Sequence, residues 1–178
     1  MRNYYTLNDE NTIVEVGGTW DDFALDNDGP AAVADQVIGR PLWDFVKGFE
    51  LVSFLSAVNY AVRDTGSYFE TLYRCDSPDS LRLFRMTVSR LARDGLQVRH
   101  TLIKQSPTSL PAGSTQLDGF RCENRCSKCC RFRVGEQWID SYAYPDTELF
   151  PQTHVICPIC RAKAGDSLGE IINIKRAR

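Results

Sequence analysis

Two cysteine pairs constrain this chain more than any other feature: Cys126-Ser127-Lys128-Cys129 and Cys157-Pro158-Ile159-Cys160. Two residues between cysteines let both sulfurs point at one centre from a tight turn. Two such turns supply four sulfurs, the tetrahedral set that zinc favours. The spacer between the pairs is longer than the roughly 15–20 residues of the usual tetracysteine pattern. The array nevertheless points to a structural zinc site at Cys126, Cys129, Cys157 and Cys160, closed by four thiolates and offering no open coordination position. The competing chemistries are a disulfide pair, a redox dithiol and an iron–sulfur cluster.

The surroundings favour the metal. No apolar run follows Met1-Arg2-Asn3-Tyr4-Tyr5, so no signal peptide is expected. No stretch reaches the length of apolar sequence that spans a bilayer, so a cytoplasmic protein is expected. Cysteines stay reduced there and paired CxxC motifs read as ligands. The odd count of seven cysteines also argues against a closed disulfide framework.

Read in order, 178 residues suggest one ordinary domain with a small appendix. A hairpin is expected over residues 4–16, where Ile13, Val14 and Val16 follow the polar turn at 8–11. Thr19, three residues before Asp22, resembles a capping box opening a short helix through Trp20, Phe23 and Ala24. Leu51, Leu55, Val58 and Val62 form one stripe of a helix over 50–64. Three strands are expected over 68–75, 81–91 and 97–104, with turns at 76–80 and 93–95. The order gives an α+β fold: an antiparallel five-stranded sheet with helices on one face. Residues 105–118 are rich in Pro, Ser, Thr and Gly and read as a linker. Residues 119–178 hold six of the seven cysteines and are too short to build much core, so a metal would supply folding free energy.

Several phrases within residues 1–104 resemble a PAS domain. Trp20-Asp-Asp-Phe23-Ala24-Leu-Asp-Asn27 is similar to the W-x-x-F-A-x-x-N of the first helix, and Val37-Ile38-Gly39-Arg40-Pro41-Leu42-Trp43-Asp44-Phe45 to the turn leading into the PAS helices. Tyr73-Arg74-Cys75-Asp76-Ser77-Pro78 resembles the R-C-D-S-P phrase of an uncharacterised bacterial group of PAS-like proteins. The tail of that group, C-S-x-C-K…W…H-G-I-C-P-x-C, appears here as residues 126–130, Trp138 and residues 154–160. Val155 stands for a usual Gly and Cys130 for a usual Lys. The resemblance implies a PAS-like sensory domain over 1–104, joined through 105–118 to a CxxC…CxxC zinc module over 119–178. It implies a sensory or regulatory module with a cavity between sheet and helices. No histidine lies in the helix over 50–64 to ligate heme, and Leu42 stands where photoreactive flavin domains place a cysteine.

Other residues carry weaker signals. His154 is read as a loop histidine or a hydrogen-bond partner of a thiolate, with a Cys3His set as the alternative. Cys75 is read as a small buried side chain. Cys122 and Cys130 are surplus thiols near the array and could form a redox-sensitive pair with it. His100 is read as a core or edge histidine, with pH sensing or ligand binding in the pocket as the alternative. Trp20, Trp43, Phe45 and Phe49 are read as a core aromatic cluster, with lining of a ligand cavity as the alternative. No G-x-S-x-G, Walker loop, G-x-G-x-x-G or H-E-x-x-H occurs, so no enzymatic activity is expected.

The expected function is non-enzymatic sensing or regulation, with a small-molecule ligand in the cavity, a protein partner or a second copy, and no membrane. One rival is nucleic-acid binding through Arg121, Arg125, Lys128, Arg131 and Arg133. It is disfavoured because residues 119–178 carry a net charge of only +3, against −5 for the rest. The other rival is a thiol-redox sensor using the CxxC pairs.

Overall fold

A computed structural model describes residues 1–77, 80–107, 124–140 and 153–176, with side chains to residue 173. The chain opens with β1 (Arg2–Leu7) and β2 (Ile13–Gly18), then α1 (Trp20–Leu25) and α2 (Ala34–Val37). The long α3 (Phe49–Thr65) leads into β3 (Phe69–Arg74), β4 (Ser80–Arg90) and β5 (Leu96–Pro107). The five strands form one antiparallel sheet in the order β2-β1-β5-β4-β3. This is the α+β architecture expected from the sequence.

Local chemistry explains the elements. Asn8 Oδ1 accepts from the backbone N–H of Glu10 at 3.1 Å and of Thr12 at 2.8 Å, which closes the β1–β2 turn. Tyr5 and Leu7 on β1 alternate with exposed or half-buried residues, as a sheet with one covered face requires. Val58, Ala61 and Val62 of α3 are buried against that face, with Leu7, Phe69, Val88, Leu96 and Val98 opposite. Gly66, left-handed at φ 68°, ends α3 by donating to Val62 O. Arg63 ties α3 to two neighbouring turns at one end of the sheet, donating to Asn8 O at 2.7 Å and to Asp94 O at 2.8 Å.

Three local expectations change. Thr19 precedes α1 but makes no side-chain cap. Its Oγ1 instead donates to Asn3 Oδ1 at 2.8 Å, tying the helix entry to β1. Phe49 is 86% exposed and does not join the aromatic cluster, because it opens α3 on the solvent side. β5 continues through Pro107, pairing with Ser80, so residues 105–107 of the expected linker are strand. Residues 108–118 lie outside the described residues. The tail beyond residue 160 is helix α4 (Pro158–Arg176), and its Ile171 is buried in the core shared by the sheet and α3.

The C-terminal part adds a small sheet of β6 (Asn124–Cys126), β7 (Phe132–Val134), β8 (Gln137–Ile139) and β9 (Thr153–Val155), in the order β8-β7-β6-β9. It is seated on the loop entering α3. Gly48 adopts φ +92°, and a Cβ there would stand 2.4 Å from His154 O of β9. Gly48→Ala is therefore expected to cost about 2–3 kcal/mol from the backbone conformation and the contact with a rigid carbonyl. Thermal denaturation tests this, and a variant as stable as the parent would show that β9 does not rest on this loop.

Candidate metal centre

The four cysteines named from the sequence converge. The Sγ atoms of Cys126, Cys129, Cys157 and Cys160 all lie within 4.8 Å of one another. The first pair sits on a knuckle after β6. Cys126 N–H donates to Arg131 O at 2.8 Å, and Cys130 N–H returns to Cys126 O at 2.9 Å. Cys130 closes this turn in the left-handed region at φ 60°. The second pair opens α4, with Cys157 just before it, Pro158 at its first position and Cys160 in its first turn. Negative sulfur is favoured at that positive helix end.

What joins the pairs is the parallel pairing of β6 with β9, in which Cys126 faces Val155. Ser127 N–H donates to Val155 O at 2.9 Å, and Cys157 N–H to Cys126 Sγ at 3.4 Å. Cys126 and Cys157 are almost fully buried. Leu51, Phe54 and Trp138 pack around the group, so α3 forms one of its walls.

The donor set fits a tetrahedral metal. Zinc–sulfur bonds of about 2.3 Å require sulfurs about 3.8 Å apart. Cys129 Sγ and Cys157 Sγ are separated by 3.8 Å, far beyond a disulfide bond. A hydrogen bond from Cys129 pulls the Cys126 thiol down to about 4, while that same bond holds Cys129 up. Burial, then the Cys126 charge, pushes Cys160 up to about 12. One thiolate thus suppresses its neighbours, a conflict that a divalent cation at their centre removes.

The remaining candidates separate. Cys130 is buried but turns away, its Sγ donating to Arg74 O at 3.2 Å. His154 lies on β9 and is not in the sulfur group. Cys75 is half-buried beyond β3. Cys122 and Arg121 lie outside the described residues. Of the basic residues near the knuckle, Arg131 pairs with Asp140 at 3.2 Å and Arg133 with Glu136 at 3.3 Å. Arg125 lies over the Phe132 ring and Lys128 over Phe54.

Charged contacts dock this centre on the sheet and α3. Glu50 accepts from Ile156 N–H at 2.6 Å and also pairs with Arg161 of α4. Arg74 pairs with Asp76 and with Asp140, and its N–H donates to Lys128 O at 2.8 Å. Sequence reasoning assigned no docking role to Glu50, and Arg74 entered only within the R-C-D-S-P phrase, because Ile156, Arg161, Lys128 and Asp140 are remote from them in the chain. A cavity of about 340 Å³ lies between sheet, α3 and knuckle, lined among others by Tyr5, Trp20, Phe45, Tyr73 and His100. Ser127 and Lys128, the residues between the first two cysteines, line it too.

No family model and no curated protein matches this chain. Among solved structures, it is similar to a domain of an HTR-like protein from Haloarcula marismortui, with 15% identity and a TM-score of 0.42. The likeness covers 58% of this chain and 98% of that one. The fold and site define an α+β protein with a five-stranded antiparallel sheet and a four-cysteine cluster suited to a metal. Among the described residues, no helix is long and apolar enough to cross a membrane.

Proposed function

We propose that the chain is a non-enzymatic sensory or regulatory module. In this reading zinc is held by Cys126, Cys129, Cys157 and Cys160, a small molecule occupies the cavity, and output passes to a protein partner or a second copy. The observation that carries it is the knuckle itself: its cysteines belong to the sulfur cluster while Ser127 and Lys128 line the cavity. The metal would supply folding free energy to a segment with little core of its own, and closed four-sulfur coordination leaves no place for a substrate.

Elemental analysis of freshly purified protein tests this reading. About one zinc per chain is expected, with loss of the fold of residues 124–140 and 153–176 on strong chelation. Iron in place of zinc would recast the centre as a cluster. Reduced thiols without metal, in a chain that keeps its fold, would favour the thiol-redox reading instead.

A further inference from the structure

The cavity is a partly open cleft of about 340 Å³, in the range of small-molecule sites, and its lining rather than its size sets it apart. Its walls are mostly apolar, with Thr71 on β3, Ser127 and Lys128 on the knuckle, and a polar corner built by the sheet. Tyr73 Oη lies 2.8 Å from His100 Nδ1, and the Tyr5 ring stacks on the imidazole with centroids 5.7 Å apart. Burial pushes His100 down to about 4, so the imidazole is neutral, and its Nδ1 and the Tyr73 hydroxyl share one hydrogen bond. Tyr5 lines the cavity, and its hydroxyl makes no hydrogen bond within the described residues. No buried side-chain oxygen among those residues is left without a partner, so this hydroxyl opens onto the cavity, where water or a ligand completes it.

We propose that the cavity binds a neutral, largely apolar molecule carrying one acceptor oxygen, held by the Tyr5 hydroxyl, and that the metal-bearing knuckle is a wall of this site. The proposal rests on the cavity reading above for its first half and on the metal reading for its second.

The ligand class follows from the lining. A carboxylate at the Tyr5–Tyr73–His100 corner would be desolvated without a counter-charge. The cation at the far wall, Lys128, lies over the Phe54 ring, with Nζ 5.8 Å from its centroid, away from the Tyr5 corner. A carbonyl or ether oxygen would satisfy Tyr5 at no such cost, while the apolar body fills the space against Phe54 and Ile156. The coupling follows from the turn. The conformation that aims Cys126 and Cys129 at a shared centre also turns Ser127 and Lys128 towards the cavity, so removing the metal loosens that wall. By linkage, the ligand must then raise metal affinity by the factor by which metal raises ligand affinity.

The probe is prodan, a neutral dimethylaminonaphthyl ketone whose emission reports a hydrogen bond to its carbonyl. Full-length protein is titrated as purified and after chelation, with metal counted on each sample. Saturable binding to metal-loaded protein is expected, with emission red-shifted from that in hydrocarbon. Tyr5→Phe should weaken prodan about tenfold, the worth of one hydrogen bond, and leave ketone-free dimethylaminonaphthalene unchanged. Chelation should weaken prodan by about tenfold or more.

No saturable binding, a hydrocarbon-like emission in the parent, or undiminished affinity in Tyr5→Phe would overturn the site. Equal affinity in metal-loaded and chelated samples would overturn the coupling. Metal-free protein as purified would instead remove the metal reading, while the Tyr5 comparison still decides the ligand class.

Discussion

Replacing Cys126 with serine is expected to abolish stoichiometric metal binding and to release the C-terminal segment from the sheet. Cys126 is fully buried and links both pairs, accepting from Cys157 N–H while its strand pairs with β9. Metal-binding free energy in small zinc-stabilised folds is folding free energy, on the order of 10–16 kcal/mol for isolated fingers. Here the segment also docks through Glu50, Arg74 and Ile171, so the expected loss is smaller, about 3–5 kcal/mol, the scale of losing a structural metal or disulfide. Elemental analysis and chemical denaturation measure both effects. Cys130→Ser is the control. Its hydroxyl can still donate to Arg74 O, so metal content should be unchanged. Metal lost from Cys130→Ser and kept in Cys126→Ser would reassign the ligands.

Phe69→Ala should destabilise the main core by about 3–5 kcal/mol, the usual cost of deleting a buried aromatic ring. Phe69 is 1% exposed at the start of β3 and meets Phe54 edge-on, with centroids 5.9 Å apart. Phe54 in turn packs against both the main core and the cysteine cluster, so the lost ring sits one residue from the metal centre. Urea denaturation gives the magnitude, and elemental analysis should show the metal retained, because no ligand is disturbed. A loss below about 1 kcal/mol would mean that the site collapses around the deletion and that the β3–α3 packing is not a main support of the fold.

The sheet and α3 were legible because their signals are local. Alternation along β4 and the stripe Leu51, Leu55, Val58 and Val62 follow from the two periodicities of regular backbone. Helix α4 was not legible. Gly165 and Gly169 each cost about 1 kcal/mol relative to Ala in a helix, and its apolar positions are sparse. It is held by burial of Ala164 and Ile171, and that burial exists only once α3 and β3 are in place. Thr19 misled for a similar reason. Its side chain had a choice between a helix N–H and Asn3, and only the β1–β2 pairing put Asn3 within reach.

The sequence by itself determined which atoms could hold a metal, because a CxxC turn places two sulfurs together whatever surrounds it. It also determined the strands and the main helix through their periodicity. Only the tertiary structure decided that the two pairs share a centre, since the parallel β6–β9 pairing joins segments remote in the chain. It alone brought Tyr5 of β1, Tyr73 of β3 and His100 of β5 to one corner, and set the knuckle against the cavity they line. Contacts of that kind depend on strand order and docking, which no local pattern of residues encodes.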